Sequence, residues 1–292
     1  MREKRVIKVS VLSAVLFSFI GIGWGILSGS SMILFDGVYS FISVILSMAS
    51  LLVANTINEK EESKRFPLGK AHLEPFLIVM KSLVLITTCL YSISMGVIDI
   101  MDGGHLVYAS DTISYATFST LGCWVTLIYI RKRNVSLQSN IVKIEGDQWY
   151  GDTLLSLGVL VGFLLSEVLG YLGVTSILKY IDSSLVIIAS TFFLLIPLKS
   201  LFYNMREVLL LRPKKRFIEP FDRLASTIAK EQGSEYKLKV VKQGRELYIE
   251  YILLFKDNRS FSIEEMAKIK QQFASLFEGR YAISVHLDLD FK

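Results

Sequence analysis

VSVLSAVLFSFIGIGWGILSGSSMILF, residues 9–35, has no charged side chain, and DGVYSFISVILSMASLLVANTIN, residues 36–58, carries only the Asp at its head. A helix needs about 20 apolar residues to cross the hydrocarbon of a bilayer, so each stretch is long enough to span it. Spans 1 and 2 are therefore expected on either side of Asp36. Working outward, a third span is expected from about Pro75 to Ile98 with only Lys81 inside it, and a fourth from Thr112 to Ile130, stopped by Arg131, Lys132 and Arg133. A fifth is expected from Asp152 to about Leu172, with Glu167 near its far end. The sixth should run from Ser183 to about Phe202 and includes Lys199, whose stem can snorkel to the interface. MREKRVIK ahead of the first run imitates a signal peptide. The run is too long for a typical h-region and five more spans follow, so it reads as an uncleaved first helix.

The 292 residues imply two solvents: 29 of the Asp, Glu, Lys and Arg side chains lie in residues 1–205 and 30 in residues 206–292. The expected division is a six-helix membrane domain over 1–205 and a soluble domain over 206–292. The tail reads as a helix from about Ile218 to Glu231, a strand Tyr236–Lys242, a turn at Gln243 and Gly244, and a strand Glu246–Phe255. Ser262 with Glu265 three residues on is a capping box opening a helix that ends near Phe277, and Ala282–Leu289 alternates as a last strand. The order αββαβ predicts a two-layer α+β unit of split βαβ type, too small to hide both faces, which should pair with a second copy or pack under the membrane domain. This pattern excludes a soluble enzyme, a disordered chain and a disulfide scaffold. Cys89 and Cys123 lie inside apolar runs and read as packing residues.

A net charge of +5 could point to nucleic acid, but the basic residues sit in short loops between apolar runs. Arg2, Lys4, Arg5 and Lys8, then Lys60, Lys64, Arg65 and Lys70, then Arg131, Lys132, Arg133 and Lys143 would share one side of the membrane. The opposite loops hold only Lys179. Positive residues stay inside, so both termini are expected in the cytoplasm and the chain in the inner (plasma) membrane.

Ionisable groups within spans are costly and mark function by default. Asp36, Ser40, Ser43, Ser47 and Ser50 fall on one helix face, and so do Gln148, Asp152 and Ser156. Gly151, Gly158 and Gly162 would leave room for a close neighbour. Small residues at such spacing often only pack, and a hydrogen-bonded pair could merely fix helix register. If spans 2 and 5 face one another, however, Asp36 and Asp152 supply up to four carboxylate oxygens, enough for a cation that keeps some water. Gly21, Gly25 and Gly29 read as helix packing. His105 stands in an outer loop with no ligand partner visible in the sequence.

Four segments resemble the cation diffusion facilitator family. These are GILSGSSMILFDGVYSFIS at residues 25–43, FPLGKAHLEP at 66–75, QWYGDTLLSLGVLVG at 148–162 and SVHLDLD at 284–290. The resemblance implies a homodimer that exchanges a divalent metal cation for protons by alternating access, with a ferredoxin-like cytoplasmic domain. It also implies two ligand pairs, whose positions fall on Tyr39 and Ser43 and on Gln148 and Asp152. Only Asp152 matches the family pattern. A shifted register puts Asp36 and Ser40 at the first pair. The cytoplasmic metal site keeps only His286 and Asp288, because Ile252 stands where a His is expected.

The expected function is cation efflux by cation/proton antiport. Asp36 and Asp152 are the expected ligands, assisted by Gln148, Ser43, Ser40 and Tyr39, and proton and cation compete for the same carboxylates. No resident cofactor is expected; the cation is cargo and the proton its counter-ion. A transport-inactive membrane scaffold is the rival, motivated by the missing ligands. An enzyme is not expected, since no nucleophile with a His base, HExxH or phosphate loop occurs, and His72 and His286 lie in soluble segments. With oxygen donors alone and no His in a span, manganese or magnesium ranks ahead of sodium, and sodium ahead of zinc.

Overall fold

The computed structural model describes residues 2–58, 70–107, 109–137, 140–244, 246–255, 262–277 and 282–291. Six long helices come first: α1 (Arg2–Ser28), α2 (Ser31–Asn58), α3 (Leu73–Met101), α4 (Ala109–Leu137), α5 (Asn140–Tyr171) and α6 (Leu178–Val208). Each is long and apolar enough to cross a membrane. Then come α7 (Lys215–Gln232), β1 (Glu235–Gln243), β2 (Glu246–Phe255), α8 (Ile263–Ser275) and β3 (Ala282–Phe291). The chain divides into two compact units, Met1–Ala49 with Leu83–Leu198, and Ser50–Ser82 with Lys199–Lys292. The basic run Lys60, Lys64 and Arg65, residues 66–69 of the loop motif, and Ser139 lie outside the described residues.

Two span boundaries move from where charge alone placed them. The break between α1 and α2 is at Gly29 and Ser30, not Asp36. Gly29 supplies the turn with φ +68, a left-handed conformation that side chains resist. Asp36 thus stands in the second turn of α2, inside the span. Likewise α5 begins at Asn140, twelve residues before Asp152, because Lys143, Glu145 and Asp147 continue the helix instead of ending it. Asp152 is a mid-helix residue.

In the first unit, α1 and α2 form a hairpin in which backbone meets backbone. A Cβ on Gly21 would lie 2.9 Å from Gly37 Cα, one on Gly25 2.6 Å from Leu34 Cα, and one on Gly37 2.4 Å from Ile22 N. Gly21 and Gly25, read as packing residues, do pack, whereas a Cβ on Gly29 would meet nothing within 4 Å and Gly29 serves the turn instead. By contrast, Gly151 and Gly158 on α5 face open space, and only Gly162 meets a neighbour, the Leu185 side chain. The expected close approach along α5 is therefore confined to its second half. Met32, Ile33 and Phe35 of α2, Tyr115 and Ala116 of α4, Phe163 of α5, and Val186 and Ala189 of α6 bury one shared core. Leu12, Leu16 and Phe19, at helical spacing on α1, are exposed instead, as a face toward lipid requires.

The second unit contains the α+β tail. The capping box is present: Ser262 Oγ accepts from Glu265 N at 3.1 Å, and Glu265 Oε2 accepts from Ser262 N at 2.9 Å. The sheet order is β1-β2-β3, with β1 and β2 antiparallel and β2 and β3 parallel. Because β2 pairs directly with β3, the β2–α8–β3 unit is not split, contrary to expectation. The β2–α8–β3 segment is therefore a crossover between neighbouring parallel strands. Phe221 of α7, Tyr251 of β2 and Phe273 of α8 are fully buried at the centre, each worth about 2–3 kcal/mol of apolar burial. Tyr251 takes its hydroxyl inside by donating to Ala225 O at 2.9 Å. On the opposite sheet face Glu250 pairs with His286 and Ile252 with Asp288 in register, His286 and Asp288 being exposed.

Candidate cation site

Asp36 Oδ2 accepts a hydrogen bond from the Tyr115 hydroxyl of α4 at 3.0 Å. One turn further along α4, Ser119 Oγ lies 3.2 Å from Ser156 Oγ of α5. Asp36, Tyr115, Ser119 and Ser156 line a cavity of about 10 Å³, closed by Met32, Ile33, Leu155 and Val159. That volume is near the lower limit for one water. Asp152 is half-buried one turn before Ser156, within electrostatic reach of Asp36, Tyr39 and Cys123. The two carboxylates singled out in the sequence therefore share one neighbourhood. The link between α2 and α5 runs through α4, whose Tyr115 and Ser119 sequence reasoning missed.

The other expected ligands divide. Ser40 and Ser43 are half-buried on α2, Ser47 is exposed, and the Ser50 side chain lies outside the described residues. The Tyr39 ring is committed to an aromatic cluster, 4.5 Å from Phe193 and 5.6 Å from Phe35. Gln148 is exposed, one turn from Asp152. Glu145 is a further carboxylate within electrostatic reach of Asp152. Ser10 of α1 donates to Glu145 Oε2 at 2.5 Å and accepts from Trp149 Nε1 at 2.8 Å. The seven-residue step from Glu145 to Asp152 places both on one face, a signal lost once span 5 was begun at Asp152. Among the described residues no three His, Cys, Asp or Glu side chains converge as a ready metal centre. The neighbourhood offers Asp36, Asp152 and neutral hydroxyls, with Glu145 as a third carboxylate held by Ser10.

At the other end of the bundle His105 is far from alone. Its Nδ1 lies 2.9 Å from both carboxylate oxygens of Asp99 on α3, and its Nε2 3.6 Å from Asp182 Oδ2 on α6. The second separation is that of an ion pair, beyond hydrogen-bond range. The Asp182 and Asp99 carboxylates push the His105 pKa up to about 9, against the cost of partial burial, so the ring is a cation at neutral pH. Asp182, 2% exposed, also accepts from Ser30 Oγ at 2.5 Å and Ser31 N at 2.7 Å. It caps α2 from a distant helix, where a negative charge is favoured. Ser183 Oγ donates to Asp99. Asp99 lies six residues before His105, but Asp182 comes from a distant helix, which is why the sequence hid the cluster.

The chain matches the family model of the cation efflux transmembrane domain over residues 7–209. It belongs to the cation diffusion facilitator family. No curated protein matches the chain. Family membership makes this multi-pass membrane protein a carrier of cations across the bilayer, a task of transport and not of catalysis. The match covers all six spans of this cation efflux protein and stops at the turn after α6.

Proposed function

We propose that the chain exports a hard divalent cation in exchange for protons, by alternating access across the inner membrane, with both termini in the cytoplasm. Asp36 and Asp152 bind the cation, and Tyr115, Ser119 and Ser156 stand beside them as neutral oxygen donors. The observation that carries this reading is two acidic groups placed in one apolar core with hydroxyl neighbours. Such a pair gains from a cation, and it can take up protons when the cation leaves. Oxygen donors favour manganese or magnesium, then sodium, over zinc. Ser40, Ser43, Gln148 and Tyr39 serve in other conformations of the cycle. The αββαβ tail acts as a ferredoxin-like module, in a form with β2 and β3 adjacent, and its open sheet face joins a second copy in a homodimer.

A transport-inactive scaffold is the second reading, favoured by the small cavity and the absence of a ready three-ligand centre among the described residues. Cation flux into proteoliposomes holding the purified chain and a pH dye decides between them. The expected result is manganese- or magnesium-driven proton movement. Strong zinc flux with no response to the other ions would overturn the ion ranking, and no flux for any ion would favour the scaffold.

A further inference from the structure

The second unit holds a basic cavity that cation transport does not use. It opens beside the end of α6, has a volume of about 30 Å³, and is lined by Tyr203, Arg206, Arg212, Lys214, Phe217 and Lys242, with Glu207 the single carboxylate on its wall. Glu207 is already committed, accepting from Lys242 Nζ at 2.6 Å and Gly244 N at 2.9 Å. Three cations remain on the wall, Arg206, Arg212 and Lys214, all exposed and with no ion pair among the described residues. Arg206 and Lys214 are held in place. Arg206 donates to Arg212 O at 3.2 Å, and Lys214 Nζ lies 5.0 Å from the centre of the Tyr203 ring. The cavity thus gathers positive charge on a fixed frame. Lys214 is also the N-cap of α7 and provides no side-chain cap, so the leading N–H groups of an 18-residue helix open at the same place.

The surroundings identify the source of the anion. Beside the cations the chain turns through Leu209, Leu210 and Leu211, which are 59, 53 and 47% exposed, and Phe202 two turns back on α6 is 66% exposed. Leu210 holds φ 54, a left-handed conformation usually left to Gly, closing the turn by bonds from Leu210 N to Glu207 O and from Leu211 N to Arg206 O. A strained turn that presents three leucines to the outside is costly in water and favourable against acyl chains. Apolar side chains at the end of a span with a ring of cations beside them match a bilayer's own boundary of chains and phosphates.

We propose that this cavity binds the phosphate of an anionic phospholipid, with Arg206, Arg212 and Lys214 around the headgroup and Leu209–Leu211 among its chains. The site anchors the junction between α6 and α7 to the membrane surface.

The test uses the full chain in detergent, with melting temperature and lipid retention in native mass spectrometry as readouts. Added dioleoylphosphatidylglycerol should raise the melting temperature and be retained in preference to dioleoylphosphatidylcholine. Arg212→Gln with Lys214→Gln should weaken that preference about fivefold per charge removed, the worth of one basic side chain at an anionic surface. Both residues are exposed, so melting in phosphatidylcholine should be unchanged; should it fall, Arg212→Gln alone is put through the same comparison. The proposal is overturned by equal retention of the two lipids on the unaltered chain, by a variant that keeps the full preference, or by inorganic phosphate reproducing the whole shift.

Discussion

Two pairs of aspartates sit in the same helical bundle, and they are treated in opposite ways. Asp99 and Asp182, near the end of α3 and the start of α6, share His105 between them and are further satisfied by Ser183, Ser30 and the α2 backbone. Asp36 and Asp152, in the core, have Tyr115 and serine hydroxyls nearby, and no cationic side chain lines the cavity that Asp36 borders. A carboxylate that already has its counter-charge is part of the framework. One whose surroundings are neutral oxygen and hydrocarbon is incomplete until something positive arrives. The contrast separates acidic groups that hold helices together from acidic groups available to cargo, which identity and depth in a span alone do not.

The largest effect should come from the incomplete pair. Asp152→Asn and Asp36→Asn each remove a charge and little volume, and each should lower cation-dependent proton movement in proteoliposomes by at least about tenfold, the loss of roughly 1.4 kcal/mol from the site. Melting temperature should barely change. A variant of either position that transports normally would break the comparison at its functional end.

The complete pair should show the reverse. Asp182→Asn removes the charge that caps α2 and faces His105, and should cost about 2 kcal/mol of stability, measured as a lowered melting temperature. Flux per folded molecule should survive. If instead Asp182→Asn folds as well as the unaltered chain and stops transport, the two pairs do not differ in the way described.

The smallest effect concerns His105 and is set by pH. Its pKa is raised from the ordinary His value near 6.5 to about 9, so protonation is favoured in the folded state. The stability this contributes is complete below about pH 6.5 and is lost as pH rises through 9. The group is partly exposed, and solvent screening reduces its worth to about 1 kcal/mol. His105→Asn should therefore melt lower than the unaltered chain at pH 6, with the gap closing by pH 10. A gap that stayed constant across that range would assign the loss to packing instead.

Much of the fold was legible because lipid imposes its requirement on continuous stretches of sequence. Six apolar runs gave six spans, and the period-2 strands and the Ser262 to Glu265 box gave the tail in order. Asp36 and Asp152 could be found because a charge inside an apolar run is conspicuous. What the sequence concealed was set by the third dimension. Tyr115 and Ser119 look like ordinary span residues until α4 is known to stand between α2 and α5. His105 gains its meaning from residues 6 and 77 positions away. Boundaries failed for a different reason: a helix near a membrane surface does not stop where charge begins, so α5 runs through Lys143, Glu145 and Asp147.

The hairpin of α1 and α2 constrains how Asp36 can change the side it faces. Where Gly21 and Gly25 meet Gly37 and Leu34 the two backbones touch, so sliding one helix past the other would drive side chains into backbone. The carboxylate is one residue from this seam. Any motion that hands Asp36 from one aqueous face to the other therefore carries α1 with it, so the moving part is a two-helix plank and not a single rod. A bulky label placed on α1 should report the same displacement as one on α2.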